Sequence, residues 1–111
     1  MGTAGGPVSV AGAAPLYLVL LRYVAPLEAV DRWLPAHRDY LQQRYAEGSF
    51  LLSGRREPRT GGVVLATAPS RAALDALLDE DPFRRQGVAE YEVVAFVPTM
   101  AAAGLAGLLA G

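Results

Sequence analysis

The chain has 111 residues, 52% of them hydrophobic and 19% charged, with a net charge of -1. That is enough apolar material for one domain with a single core, and it argues against general disorder. There is no basic field to draw nucleic acid, and no cysteine to form disulfides, thiolate nucleophiles or cysteine metal sites; with one histidine, no metal site is expected. All ten basic residues are arginine, so a lysine Schiff base is excluded as well.

Met1 to Pro15 is rich in glycine, alanine and valine, without a basic start or a long apolar run. It is expected to be a flexible leader and not a signal peptide, and a cytoplasmic location follows as the expectation. Leu16 to Tyr23 (LYLVLLRY) is a predicted strand by length and by branched and aromatic content. Pro26 opens a helical stretch through Glu47 that Gly48 closes, and Pro35 inside it should kink or restart the helix. Phe50 to Arg56 is a second strand, Glu57 to Gly62 a turn, and Val63 to Ala68 a third strand. Ser70 is an N-cap for a helix over Arg71 to Glu80, which the Asp81-Pro82 pair ends. Tyr91 to Val97 is the fourth strand, stopped by Pro98. The tail from 99 to 111 is small and apolar, too short for a membrane span; it reads as frayed or as a short helix docking on a partner subunit.

The order βαββαβ predicts a ferredoxin-like α+β sandwich, with 16–98 as the domain and both helices on one sheet face. Alternation makes the other face apolar too. In the first strand Leu16, Leu18 and Leu20 oppose Tyr17, Val19, Leu21 and Tyr23, and the third and fourth strands repeat the pattern. Two helices cover one face only, so a homodimer packed sheet to sheet is expected, with no membrane and no nucleic-acid partner.

His37 carries the chemical expectation. Val30, Leu34, His37 and Leu41 share one helix face, and Leu74, Leu77 and Leu78 form a second stripe whose next member is Asp81. An imidazole titrates near neutral pH, and a carboxylate on one ring nitrogen leaves the other free for general acid-base work. The first and third strands are expected to run parallel, with the helices after them roughly parallel too, so the two residues lie at similar depth and can meet. Blander readings stand beside this one. A lone histidine on an apolar face is often structural, and Asp81 before Pro82 has the arrangement of an N-cap with proline at N1. Asp79, Glu80 and Asp81 also crowd a helix C-terminus, with Arg84 and Arg85 placed to offset them. Arg22 is a candidate anion anchor or a strand-end arginine reaching for water, and Ser53 and Gly54 would let a ligand approach backbone. Trp33 and Tyr40 read as core or pocket wall.

From about Leu16 to Pro98 the chain resembles the YciI-like (YCII-related) family. The likeness lies in the first strand, in Pro35-Ala36-His37 leading into Tyr40-Leu41, in the stretch from Glu47 to Gly54, in Gly61-Gly62, and in Asp81-Pro82-Phe83 with Gly87. The Glu57 to Thr60 turn is short and charged, without the longer loop of some members. The resemblance implies a dimeric α+β barrel and an active site built from the histidine and the Asp-Pro aspartate, here His37 and Asp81. One resembling branch is associated with dehydrochlorination of a chlorinated hydroquinone, and structural relatives include muconolactone isomerases. The expected function is therefore a small lyase or isomerase with no cofactor, acting on an aromatic-derived or lactone-like molecule. His37 and Asp81 would be its catalytic pair, with Arg22, Ser53, Gly54 and Phe83 binding substrate. The rival expectations are a non-catalytic dimeric metabolite-binding or regulatory module, and a cofactor-free monooxygenase by fold analogy.

Overall fold

The computed structural model describes residues 6–109. Residues 1–5 and 110–111, the outer ends of the expected leader and tail, lie outside the described residues. The elements are β1 (Pro7–Ser9), β2 (Leu16–Tyr23), α1 (Leu27–Ala46), β3 (Phe50–Arg55), β4 (Gly61–Ala66), α2 (Arg71–Asp79), α3 (Pro82–Arg85), β5 (Ala89–Phe96) and β6 (Met100–Ala102), followed by a 3-10 turn (Ala103–Leu105) and α4 (Ala106–Leu109). The main sheet has the order β3-β4-β2-β5, with every neighbouring pair antiparallel. The expected ferredoxin-like sandwich is therefore present. Inside the expected leader and tail, β1 and β6 pair with each other as a separate two-stranded ladder, Val8 opposite Ala101.

One expectation about direction is corrected. The first and third predicted strands, β2 and β4, are adjacent and antiparallel, Leu18 opposite Leu65 and Val19 opposite Val64. Each helical crossover passes over the strand that lies between the two it joins, so α1 and α2 start from opposite ends of the sheet. Depth along parallel helices thus has no part in bringing His37 and Asp81 together. The chain leaves α2 at Asp79, turns at Glu80, and re-enters helix at Pro82; α3 then packs against α1.

Local chemistry explains the boundaries. Ser70 caps α2 by accepting the Ala73 N–H at 3.1 Å. Gly48, at φ +85°, closes α1, with its N–H on the Tyr45 carbonyl and the Ser49 N–H on the Arg44 carbonyl, both at 3.0 Å. Of the two outcomes expected at Pro35, the restart does not occur: α1 runs unbroken for 20 residues. The proline leaves the Asp31 carbonyl without its helical donor, and both residues are exposed, so water can satisfy it at low cost.

The helix-side face of the sheet makes the core. Val19 and Leu21 of β2, Val64 and Ala66 of β4 and Phe50 of β3 pack with Val30 and Tyr40 of α1, Leu74 and Leu78 of α2, and Phe83 of α3. Burying a side chain such as Leu74, which has no exposed surface, contributes about 1.5–3 kcal/mol. The opposite face carries Leu18, Leu20, Val63 and Leu65, half-buried, with Leu52, Val94 and Phe96 exposed. Cross-strand pairs Leu18–Leu65, Leu20–Val63 and Leu52–Leu65 join them into one apolar patch. No element of the main sheet's own helices covers it.

A β-bulge in β3 sets which side chains reach the site. The ladder with β4 slips between Phe50, opposite Ala66, and Leu52, opposite Leu65. Phe50 faces the helices, so strict alternation would keep Leu52 on that side and send Ser53 and Arg55 to the other. The extra residue reverses this: Leu52 joins the apolar patch, and Ser53 and Arg55 turn toward α1.

The β3–β4 turn ends at Gly61, which needs to be glycine for steric reasons. A β-carbon there would lie 1.8 Å from the Leu21 carbonyl oxygen, a backbone atom that cannot swing away. Gly61→Ala should lower stability by about 2–3 kcal/mol in urea unfolding. Gly54→Ala meets nothing within 4 Å, and its midpoint should stay close to that of the wild type.

Candidate active site

The meeting point of α1, α3 and β5 is a buried polar cluster centred on Asp81. The carboxylate is 2% exposed, and three donors converge on it. Its Oδ1 accepts from His37 Nδ1 at 2.7 Å and from the Phe83 N–H at 3.0 Å; its Oδ2 accepts from the Tyr91 hydroxyl at 2.5 Å. Asp81 is thus both the N-cap of α3, with Pro82 at N1, and the partner of His37. The two readings of its sequence context coexist because a carboxylate has two oxygens. Asp79 and Glu80, its neighbours in sequence, take arginine partners instead: Arg84 to Asp79 at 3.1 Å and Arg44 to Glu80 at 3.5 Å. Only the third acid turns inward.

His37 is held on three sides. Its ring lies flat against Phe83, with centroids 4.0 Å apart and planes within 5°, and the Tyr40 ring lies at 6.4 Å with its plane inclined by 27°. A carboxylate only accepts hydrogen bonds, so Nδ1 of the neutral imidazole carries the proton and Nε2 carries the lone pair. Nε2 has no hydrogen-bond partner among the described residues, yet it is not a sealed, orphaned atom. The ring instead forms part of the wall of a cleft of about 140 Å³ between α1 and the β3–β4 hairpin. Leu21, Leu34, Leu41 and Phe83 supply apolar wall, and the residues with polar side chains that line it are Tyr23, His37, Arg38, Ser53 and Arg55.

The structure therefore places His37, Asp81, Phe83, Ser53 and Gly54 at or behind one cleft. Ser53 bonds through its hydroxyl to Tyr45, and Gly54 lines the cleft beside it. Arg22 is not brought to this group. It projects from the face of β2 opposite the helices, is exposed, and pairs with Glu90 across the β2–β5 ladder. Three more residues stand at this site that the sequence does not mark: Tyr91, Arg38 and Arg55. Tyr91 opens the fourth predicted strand with no pattern to mark it as a donor to Asp81. Arg38 follows His37 directly, and Arg55 is aimed by the bulge.

Burial, reinforced by the Asp81 carboxylate beside it, pushes the Tyr91 hydroxyl far above its ordinary range. Burial likewise raises Tyr40, whose hydroxyl donates to the Leu77 carbonyl at 2.6 Å. Both stay protonated donors at any pH the protein meets. The linkage has a definite sign. The unfolded chain releases these protons near pH 10 and the fold does not, so their contribution is full below about pH 10 and is lost as pH rises beyond it. With no lysine and no cysteine, tyrosines dominate this limb between pH 10 and 12. Each fully held hydroxyl should add a slope of up to about 1.4 kcal/mol per pH unit, and Tyr91→Phe should remove one such share in urea titrations from pH 9 to 12.

The family model of the YCII-related domain matches residues 16–97, most of the chain. The protein belongs to the YCII-related family. No curated protein matches its sequence. Among solved structures it is similar to the 5-chloro-2-hydroxyhydroquinone dehydrochlorinase of Burkholderia phenoliruptrix in complex with 2,5-dihydroxybenzoquinone, with TM-score 0.65 and 19% identity over 74% of this chain and 93% of that one. It is also similar to an antibiotic biosynthesis monooxygenase, with TM-score 0.51 and 22% identity over 75% of this chain and 97% of the other. At such identities the likeness speaks for the fold alone, the ferredoxin-like unit of the dimeric α+β barrel class. Among the described residues no helix is long and apolar enough to cross a membrane.

Proposed function

We propose that this YCII-related protein is a small-molecule enzyme of the lyase or isomerase type that works by proton transfer through His37. One observation carries the reading: a cleft-wall imidazole whose Nδ1 bonds a buried carboxylate while Nε2 is left unpartnered. Nε2 then takes a proton from substrate or returns one. Asp81 fixes the ring's tautomer and stabilises the imidazolium that forms, and the Phe83 stack prevents ring rotation. A structural histidine satisfied at both nitrogens would have no reason to hold one of them free at a cleft. The cleft's size and apolar walls suit a single small ring, and the dehydrochlorinase neighbour, solved with a dihydroxybenzoquinone, acts on a molecule of that kind.

The open sheet face belongs to the same proposal. Leu18, Leu20, Leu52, Leu65, Val94 and Phe96 form a contiguous apolar surface of the sort that a second copy covers. Light scattering at micromolar concentration should give twice the chain mass, and Leu52→Arg should return the monomer; a monomeric wild type refutes the pairing.

Two measurements test the catalytic reading. Diethyl pyrocarbonate should acylate the single imidazole readily and be blocked by a cleft ligand, because Nε2 is reachable. Incubation in D2O with small hydroxyquinones, hydroxyaromatics and lactones, followed by NMR, should then reveal deuterium wash-in, elimination or isomerisation. An imidazole that resists acylation in the folded protein overturns the role of His37. Ready acylation with binding but no turnover assigns the cleft to a metabolite-binding module.

A further inference from the structure

We propose that the cleft takes its ligand as an anion: a ring-sized organic carboxylate whose charged end is held by Arg38 and Arg55. This rests on the reading of the cleft as a small-molecule site and names the ligand class. Of the ten arginines, Arg22, Arg44, Arg59, Arg71 and Arg84 each have an acidic partner. Arg38 and Arg55 have none among the described residues, and both line the cleft. No aspartate or glutamate lines it with them. Two arginines thus line one recess together with apolar residues such as Leu21, Leu34, Leu41 and Phe83. Apolar walls concentrate the field of such a pair, so the recess favours negative charge.

The placement of each arginine is specific. Arg38 follows His37 on α1, next to the face that carries the imidazole. Arg55 ends β3, and it reaches the helix side of the sheet only because of the bulge after Phe50. A strand with regular alternation would have delivered it to the apolar patch, and re-aiming a side chain beside a site is a common use of a bulge. A guanidinium matches a carboxylate with two parallel N–H···O bonds, which gives orientation as well as affinity. Size sets the remainder of the ligand. The cleft's 140 Å³ is close to the ~150 Å³ that an apolar cavity needs to hold one benzene ring. With its carboxylate on the arginines, such a ring lies along the leucine wall beside Nε2 of His37.

The experiment is calorimetric titration of the whole protein with benzoate and with benzamide, the neutral molecule of the same shape. Benzoate should bind saturably, at least about tenfold more tightly than benzamide, and the difference should shrink as salt is raised. Arg38→Gln and Arg55→Gln should each weaken benzoate by about tenfold or more and leave benzamide unchanged. Arg32→Gln, at an exposed arginine outside the cleft, should change neither. Equal affinity for the two probes, no binding of benzoate, or wild-type affinity in both cleft variants overturns the proposal. The catalytic reading fails separately: benzoate binding that depends on both arginines, in a protein whose His37 resists acylation, keeps the anion site and removes the enzyme.

Discussion

Asp81→Ala is expected to cost about 3–5 kcal/mol of folding stability, more than any other single truncation around the cleft. The argument is an accounting of donors. Removing the carboxylate strands the His37 Nδ1–H, the Phe83 N–H and the Tyr91 hydroxyl in a region where Asp81 itself is 2% exposed. An unsatisfied buried donor costs about 1–3 kcal/mol, and water entering the vacated space recovers part of the total. The loss of the α3 cap is included, because the Phe83 N–H is the capped group. Asp81→Asn should cost less, about 1–2 kcal/mol. Its amide oxygen has to occupy the Oδ1 position, where two N–H donors converge, and the amide nitrogen then faces the Tyr91 oxygen, which can accept. Urea unfolding near pH 7 measures both. An alanine variant within about 1 kcal/mol of wild type would mean that the cluster is solvated and not buried.

Much of this architecture is legible in the chain, for reasons that differ by element. The β2 strand announces itself because seven of its eight residues are branched or aromatic, and α2 because Ser70 and the leucine spacing agree. His37 stands out because it interrupts an apolar stripe, and Asp81 because proline follows it. Their contact is another matter. Periodicity places each residue on a face but says nothing of how two faces are oriented, and the antiparallel sheet does not use the route to the contact that parallel strands would offer. The link is made by α3, a four-residue helix too short to leave any periodic trace. Pro35 shows the opposite failure. Its local cost is real, but tertiary packing of Val30, His37 and Tyr40 on one side and solvent on the other let the helix absorb it. The bulge in β3 is the least visible feature. Phe-Leu-Leu-Ser-Gly-Arg reads as a regular strand, and only pairing with β4 reveals that Ser53 and Arg55 change face. Tyr91 is similar: whether a strand tyrosine caps a carboxylate depends on a partner ten residues away across a turn.

His37→Gln should reduce turnover by about 10²–10⁴-fold, the range that a general acid-base residue supplies, with urea stability lowered far less than in Asp81→Ala. The glutamine cannot carry a proton to and from substrate, while its amide can still donate to Asp81. The comparison with Asp81→Asn is the sharper part. Since Phe83 N–H and His37 Nδ1–H both require an acceptor at Oδ1, the asparagine oxygen stays there and the ring keeps its tautomer. What is lost is the negative charge that steadies the imidazolium, so kcat should fall by about tenfold and not by the full amount. Effects of groups that act as one unit do not add. Asp81→Asn placed on His37→Gln should therefore lower kcat no further. Steady-state kinetics on any substrate found by the D2O experiment decides this. If the second substitution still costs a factor of ten in the absence of the imidazole, Asp81 serves the reaction through some group other than His37, and the pair is not a catalytic unit.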